Sequence, residues 1–68
     1  MDVARKLKQD IYIRVCKDSC FKLESTRAAI IAANVIGCHP MEIWMAMDFD
    51  LMNRIASGEH PVCKQGVQ

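Results

Sequence analysis

A chain of 68 residues with a formal net charge of +1 is one domain, near the size at which a single core needs a staple or a partner to be stable. Apolar residues make up 51% of it, yet there is only one Trp, one Tyr and two Phe, and this excess of apolar surface predicts a homodimer. Near-neutral charge excludes a basic coat over the whole surface, no apolar run approaches the roughly 18 residues of a membrane span, and the charged start does not read as a signal peptide, so a cytoplasmic protein is expected.

Residues 1–10 read as a basic N-terminal arm carrying Arg5, Lys6 and Lys8, with Val3 and Leu7 one helical turn apart. In residues 11–16 helix and strand compete. Ile11, Ile13 and Val15 alternate with Tyr12 and Arg14, and all three apolar residues are β-branched, which favours a strand. Val3, Leu7, Ile11 and Val15 also keep a four-residue spacing that suits one long helix. Strand is the favoured expectation. Lys17, Asp18 and Ser19 form a turn or a helix start, and residues 20–24 are either a second strand with Phe21 and Leu23 inward or the opening of a longer helix.

Two helices around Gly37 organise the rest. Ser25 or Thr26 is placed to cap the first, which runs to Ile36. Gly37 supplies the positive φ that a helix end favours, Pro40 starts the next helix without losing a useful donor, and Cys38 and His39 make the corner. Thr26, Arg27 and Asn34 share one arc of the first helix, which leaves its alanines to admit a neighbour closely and Ile30 and Ile31 to fill the gap. In the second helix the apolar arc spans about 200°, and Asp48 falls inside it. A buried unpaired carboxylate is costly, so Asp48 is expected to cap a fresh helix from Phe49 to Ala56, ended by Ser57 and Gly58. Residues 11–58 are then a dimeric helical core and residues 59–68 a flexible tail.

No nucleophile, base and orienting carboxylate share a recognisable spacing, and the three glycines are isolated, so neither catalysis nor a cofactor is expected. The four cysteines read as free thiols in a reducing compartment. Cys16, Cys20, His60 and Cys63 form a nominal zinc set, but its two pairs lie far apart and no metal is assigned.

Residues 11–18, a following helix and then Gly37-Cys-His-Pro-Met-Glu-Ile-Trp-Met-Ala-Met47 resemble the layout of ribbon-helix-helix repressors, in which strands of a dimer pair into a ribbon for the major groove. That resemblance implies base contacts from Tyr12 and Arg14 and a backbone contact near His39. The run Ala32-Ala-Asn-Val-Ile-Gly-Cys-His-Pro-Met-Glu-Ile-Trp44 is also similar to helix-turn-helix regulators of the phage repressor class, and to the packing helices of small Ner-type regulators. The expectation is a mainly α homodimer, ribbon-helix-helix-like, with a short N-terminal strand or helix, acting as a DNA-binding transcriptional regulator of phage or plasmid type. Arg5, Lys6, Lys8, Tyr12, Arg14, Lys17 and His39 would meet DNA; Ile31, Val35, Trp44, Met45, Met47, Leu51 and Met52 would form the dimer or partner interface. The alternative is an adaptor or inhibitor that binds a host protein through a Met-rich face built on Met41, Met45, Met47 and Met52.

Overall fold

The computed structural model describes residues 2–64. Its elements are α1 (Asp2–Asp18), α2 (Ser25–Ile36), α3 (Pro40–Ala46), α4 (Phe49–Ala56) and a 3-10 turn at Pro61–Lys64, with no strand among the described residues. The protein is mainly α. The strand favoured for residues 11–16 is overturned: they are the middle of α1. A strand there would require a partner for its own amides and carbonyls, whereas the helix satisfies them internally. The helix also sets Tyr12 and Cys16 one turn apart on one face, and both enter the core at 0% and 1% exposure. The phenol of Tyr12 donates to the carbonyl of Met52 at 2.9 Å, out of reach of water. Burial of the one tyrosine with its hydroxyl satisfied outweighs the β preference of its neighbours. Without that strand, no ribbon of the ribbon-helix-helix kind forms within the described residues. Residues 2–10 are not a separate arm either, since they are the first turns of α1; Met1 lies outside the described residues.

The end of α1 is a Schellman closure. The amide of Phe21 donates to Cys16 O at 2.9 Å and that of Cys20 to Lys17 O at 2.9 Å, while Cys20 and Phe21 take φ of 58° and 59°. A glycine usually fills the first of these positions, so the sequence carries no obvious stop signal here. The ring of Phe21 lies over Gly58, where an added Cβ would come within 3.3 Å of it, so the loop is clamped to the far end of α4. Replacing exposed Cys20 by glycine relieves a left-handed strain and touches no packing. Cys20→Gly is expected to stabilise the protein by about 0.5–1 kcal/mol, read as a higher urea midpoint; a lower midpoint would contradict this account of the turn.

Helix α2 begins after Glu24 with no side-chain cap, and Ser25, expected to provide one, is instead buried within the first turn. Its four inward residues are Ala28, Ala29, Ala32 and Ala33, each at 0% exposure, while Val35 and Ile30 face outward and Ile31 is half-buried. The expectation that the isoleucines fill the core is therefore wrong. Small side chains on α2 let the other helices press close, and Tyr12, Cys16, Ile43, Met52 and Ile55 provide the bulk.

The corner behaves as the sequence implied. Gly37 sits at φ 91° with its amide on Ala33 O at 2.7 Å, and the chain bends by 106° before α3. His39 caps α3 in a reciprocal box: its Nδ1 accepts from the amide of Met41 at 3.0 Å, and its own amide donates to Glu42 Oε2 at 3.4 Å. Asp48 is the expected cap of α4, its Oδ1 accepting from the amide of Leu51 at 2.7 Å. After Gly58 the chain folds back, and buried Cys63 donates its thiol hydrogen to Ile55 O at 3.5 Å. The expected flexible tail thus starts as a packed turn; residues 65–68 lie outside the described residues.

Candidate interaction surface

The basic residues proposed for DNA contact divide between two sides of α1. At about 100° per residue, Tyr12 and Cys16 define the core side, and Arg5 and Lys8 fall close to that direction, beside α3. Arg14 falls on the opposite side, and Lys6 and Lys17 on the flank between. Lys8 reaches across to Glu42, Nζ to Oε1 at 3.6 Å, and Gln9 donates from Nε2 to Ala46 O at 3.0 Å, so the first half of α1 is tied to α3. Lys6 forms an exposed pair with Asp10 at 3.6 Å. Arg14 is exposed and Lys17 half-buried. Tyr12, which the resemblance placed against bases, is inside the protein and unable to read anything in this fold. The imidazole of His39 has its Nδ1 committed to the α3 cap.

The seven interface candidates also separate. Met47 and Met52 are core residues at 3% and 0% exposure. Ile31 and Val35 join Val15 and Leu23 in an apolar groove between α1 and α2, with Asp18 and Ser19 at its edge. Trp44, Met45 and Leu51 come together on another side, in an open cleft of about 390 Å³ that also takes in Arg5, Gln9 and Asp48. A smaller hollow lined by Ala4, Arg5, Lys8, Glu42, Met45 and Ala46 continues it along α1. Met45 stands between the two at 74% exposure.

Two opposite charges, Arg5 and Asp48, line the larger cleft. Arg5 forms no ion pair among the described residues and marks the α1 side, whereas Asp48 marks the start of α4; the apolar side chains of Trp44, Met45 and Leu51 line the same cleft. The sequence reading had the three apolar residues and Arg5, but assigned them to different functions. Nothing in a linear pattern says that the second turn of α1 returns to the end of α3; only the long-range Gln9 and Lys8 contacts reveal it.

The thiols follow burial. Cys16 and Cys63 are in the core, Cys38 is half-buried and Cys20 is exposed, and no group of three or more His, Cys, Asp or Glu side chains converges as a metal site among the described residues. Burial pushes the Cys16 thiol from its ordinary value near 9 up to about 11, with the neighbouring Tyr12 hydroxyl partly opposing the rise. Burial likewise raises Tyr12 well above its ordinary value. A raised acid holds its proton more tightly in the folded state than in the unfolded one, so stability is full below pH 9 and falls between pH 9 and 11. The expected loss by pH 11 is about 2 kcal/mol. Urea melts of Cys16→Ala alongside the parent should show a flatter alkaline profile for the variant, and parallel profiles would rule the thiol out.

No single helix among the described residues is long and apolar enough to cross a membrane. Comparison of the chain with family models, curated proteins and solved structures finds no match.

Proposed function

We propose that the chain is a small protein-binding module, an adaptor or inhibitor that uses the cleft between α1 and α3 and also associates with itself. One observation carries this reading. Ile43 of α3 and Met47 just past its end complete the core, yet Met45 of the same short helix stays 74% exposed at the cleft, and Met41 is 55% exposed. Met45 lines the cleft beside half-buried Trp44 and Leu51, and a pliable thioether side chain suits a surface that adapts to a partner. The setting is the cytoplasm, where four unpaired thiols are the normal state. The test is capture from cell extract on immobilised protein, with nuclease and at raised salt. Retention under both conditions and loss in Met45→Asp is the expected result; capture abolished by nuclease would defeat the proposal.

A second reading, a DNA-binding regulator of phage or plasmid type, draws on one specific feature: the 106° bend across the three-residue turn between α2 and α3, which is helix-turn-helix geometry. It ranks second because the exposed side chains of α3 include Met41, Glu42 and Met45, none of which can donate to a base edge. Under this reading Arg14 and Lys6, with Arg5 nearer α3, supply phosphate contacts. Lys6→Ala with Arg14→Ala would then weaken duplex binding and flatten its salt dependence, measured by fluorescence anisotropy. Salt-independent binding would exclude it.

A further inference from the structure

Two of the four thiols are buried, and they converge on α4 from opposite ends of the chain. Cys16 comes from α1 and Cys63 from the 3-10 turn, at 1% and 4% exposure within one core cluster. The hydroxyl of Tyr12, beside Cys16, donates to Met52 O at 2.9 Å, and the Cys63 thiol donates to Ile55 O at 3.5 Å. Those carbonyls are three residues apart in one helix, so about 5 Å separates them. Burial foremost, and the nearness of Cys63 after it, keep Cys16 in its protonated form. We propose that Cys16 and Cys63 are a redox latch: a small-molecule disulfide of the glutathione kind converts them to an intramolecular disulfide that pins the 3-10 turn to α1.

Access comes through the turn. Pro61–Lys64 is four residues long, with Cys63 N on His60 O at 2.9 Å and the thiol hydrogen, a weak donor, on Ile55 O. While the turn is shut, burial keeps both sulfurs from the reagent. When it opens, the Cys63 thiolate attacks one sulfur of the small disulfide, which forms a mixed disulfide and releases one small thiolate. On closing, Cys16 Sγ attacks Cys63 Sγ, the protein S–S bond forms and the second small thiolate departs. Each departing thiolate takes up the proton that the attacking thiol gave up. The two cysteines are thus oxidised by two electrons, and the small disulfide is reduced to two thiols. The new bond closes a covalent loop around α2, α3 and α4, and a chain this short gains much from such a staple.

The test equilibrates the intact chain in glutathione buffers of graded ratio, then alkylates it and maps it by mass spectrometry. Trypsin places Cys16 in the peptide Val15–Lys17 and Cys63 in Ile55–Lys64, and these two should emerge joined. Half-oxidation should withstand at least tenfold more reduced glutathione in native buffer than in urea, because only the fold brings the sulfurs together. The oxidised chain should also have a higher urea midpoint, reversed by a reductant. Cys63→Ser, whose hydroxyl can keep the bond to Ile55 O, should lose the joined peptide; Cys20→Ser with Cys38→Ser should retain it. A disulfide that uses Cys20 or Cys38 in place of the core pair overturns the proposal. So does a glutathione ratio that is the same in urea and in buffer, or an oxidised chain that unfolds no later than the reduced one.

Discussion

Ile43→Ala is expected to cost about 3 kcal/mol of folding stability, measured as a drop in the urea midpoint with little change in slope. Ile43 is the fully buried residue of α3, in a core that also contains Tyr12, Met52 and Ile55. Removing three carbons there leaves a cavity in the core that α3 shares with α1 and α2, and the buried alanines of α2 have no side chain to move into it. A domain of this length has a total stability on the order of 3–10 kcal/mol, so the variant should lose between about a third and all of it. A cost below about 1 kcal/mol would mean that α3 does not dock through this residue.

The second large effect comes from the opposite change. Ala32→Leu is expected to destabilise by about 3 kcal/mol, whereas Ile30→Ala, two residues away, should cost less than about 1 kcal/mol. Ala32 is fully buried, so three added carbons must displace a neighbouring helix; Ile30 is 37% exposed and loses only part of a contact. Hydrophobicity alone ranks these positions the other way, since Ile30→Ala removes apolar surface and Ala32→Leu adds it. Urea melts of the two variants decide the orientation of α2. If Ile30→Ala proves the more damaging, the helix is turned with its large residues inward.

That contrast marks where a linear reading of this chain succeeds and where it stops. Local chemistry was legible: Gly37 and Pro40 mark the corner, and the price of leaving Asp48 unpaired in an apolar arc identified it as the cap that splits α3 from α4. Those features are decided by backbone groups a few residues apart. Rotation of α2 about its axis was not legible, because alanine and isoleucine both read as apolar and only the closeness of the neighbouring helices distinguishes them. Residues 11–16 were misread for a related reason. Alternating β-branched residues describe a strand when Tyr12 is taken as a polar outward position, but its hydroxyl finds Met52 O on a helix far along the chain. The turn at Cys20 lacked its usual glycine and so had no signature. At the candidate face, Trp44, Met45 and Leu51 stand in the sequence reading within a set of seven interface residues that the fold divides among the core and two surfaces, while Arg5 is assigned there to DNA and Asp48 to its helix cap.

The lengths of α3 and α4 lead further. Seven and eight residues are well under the roughly 12–15 that an isolated helix needs to persist in water. Both therefore borrow their shape from the body on which they lean, and the borrowed segment is the one that displays Met45. Whatever settles there would act as a splint, slowing the exchange of amide hydrogens along both segments and raising the melting temperature in proportion to the logarithm of its concentration. Calorimetry and deuterium uptake would register an arriving guest without any assay of what it does.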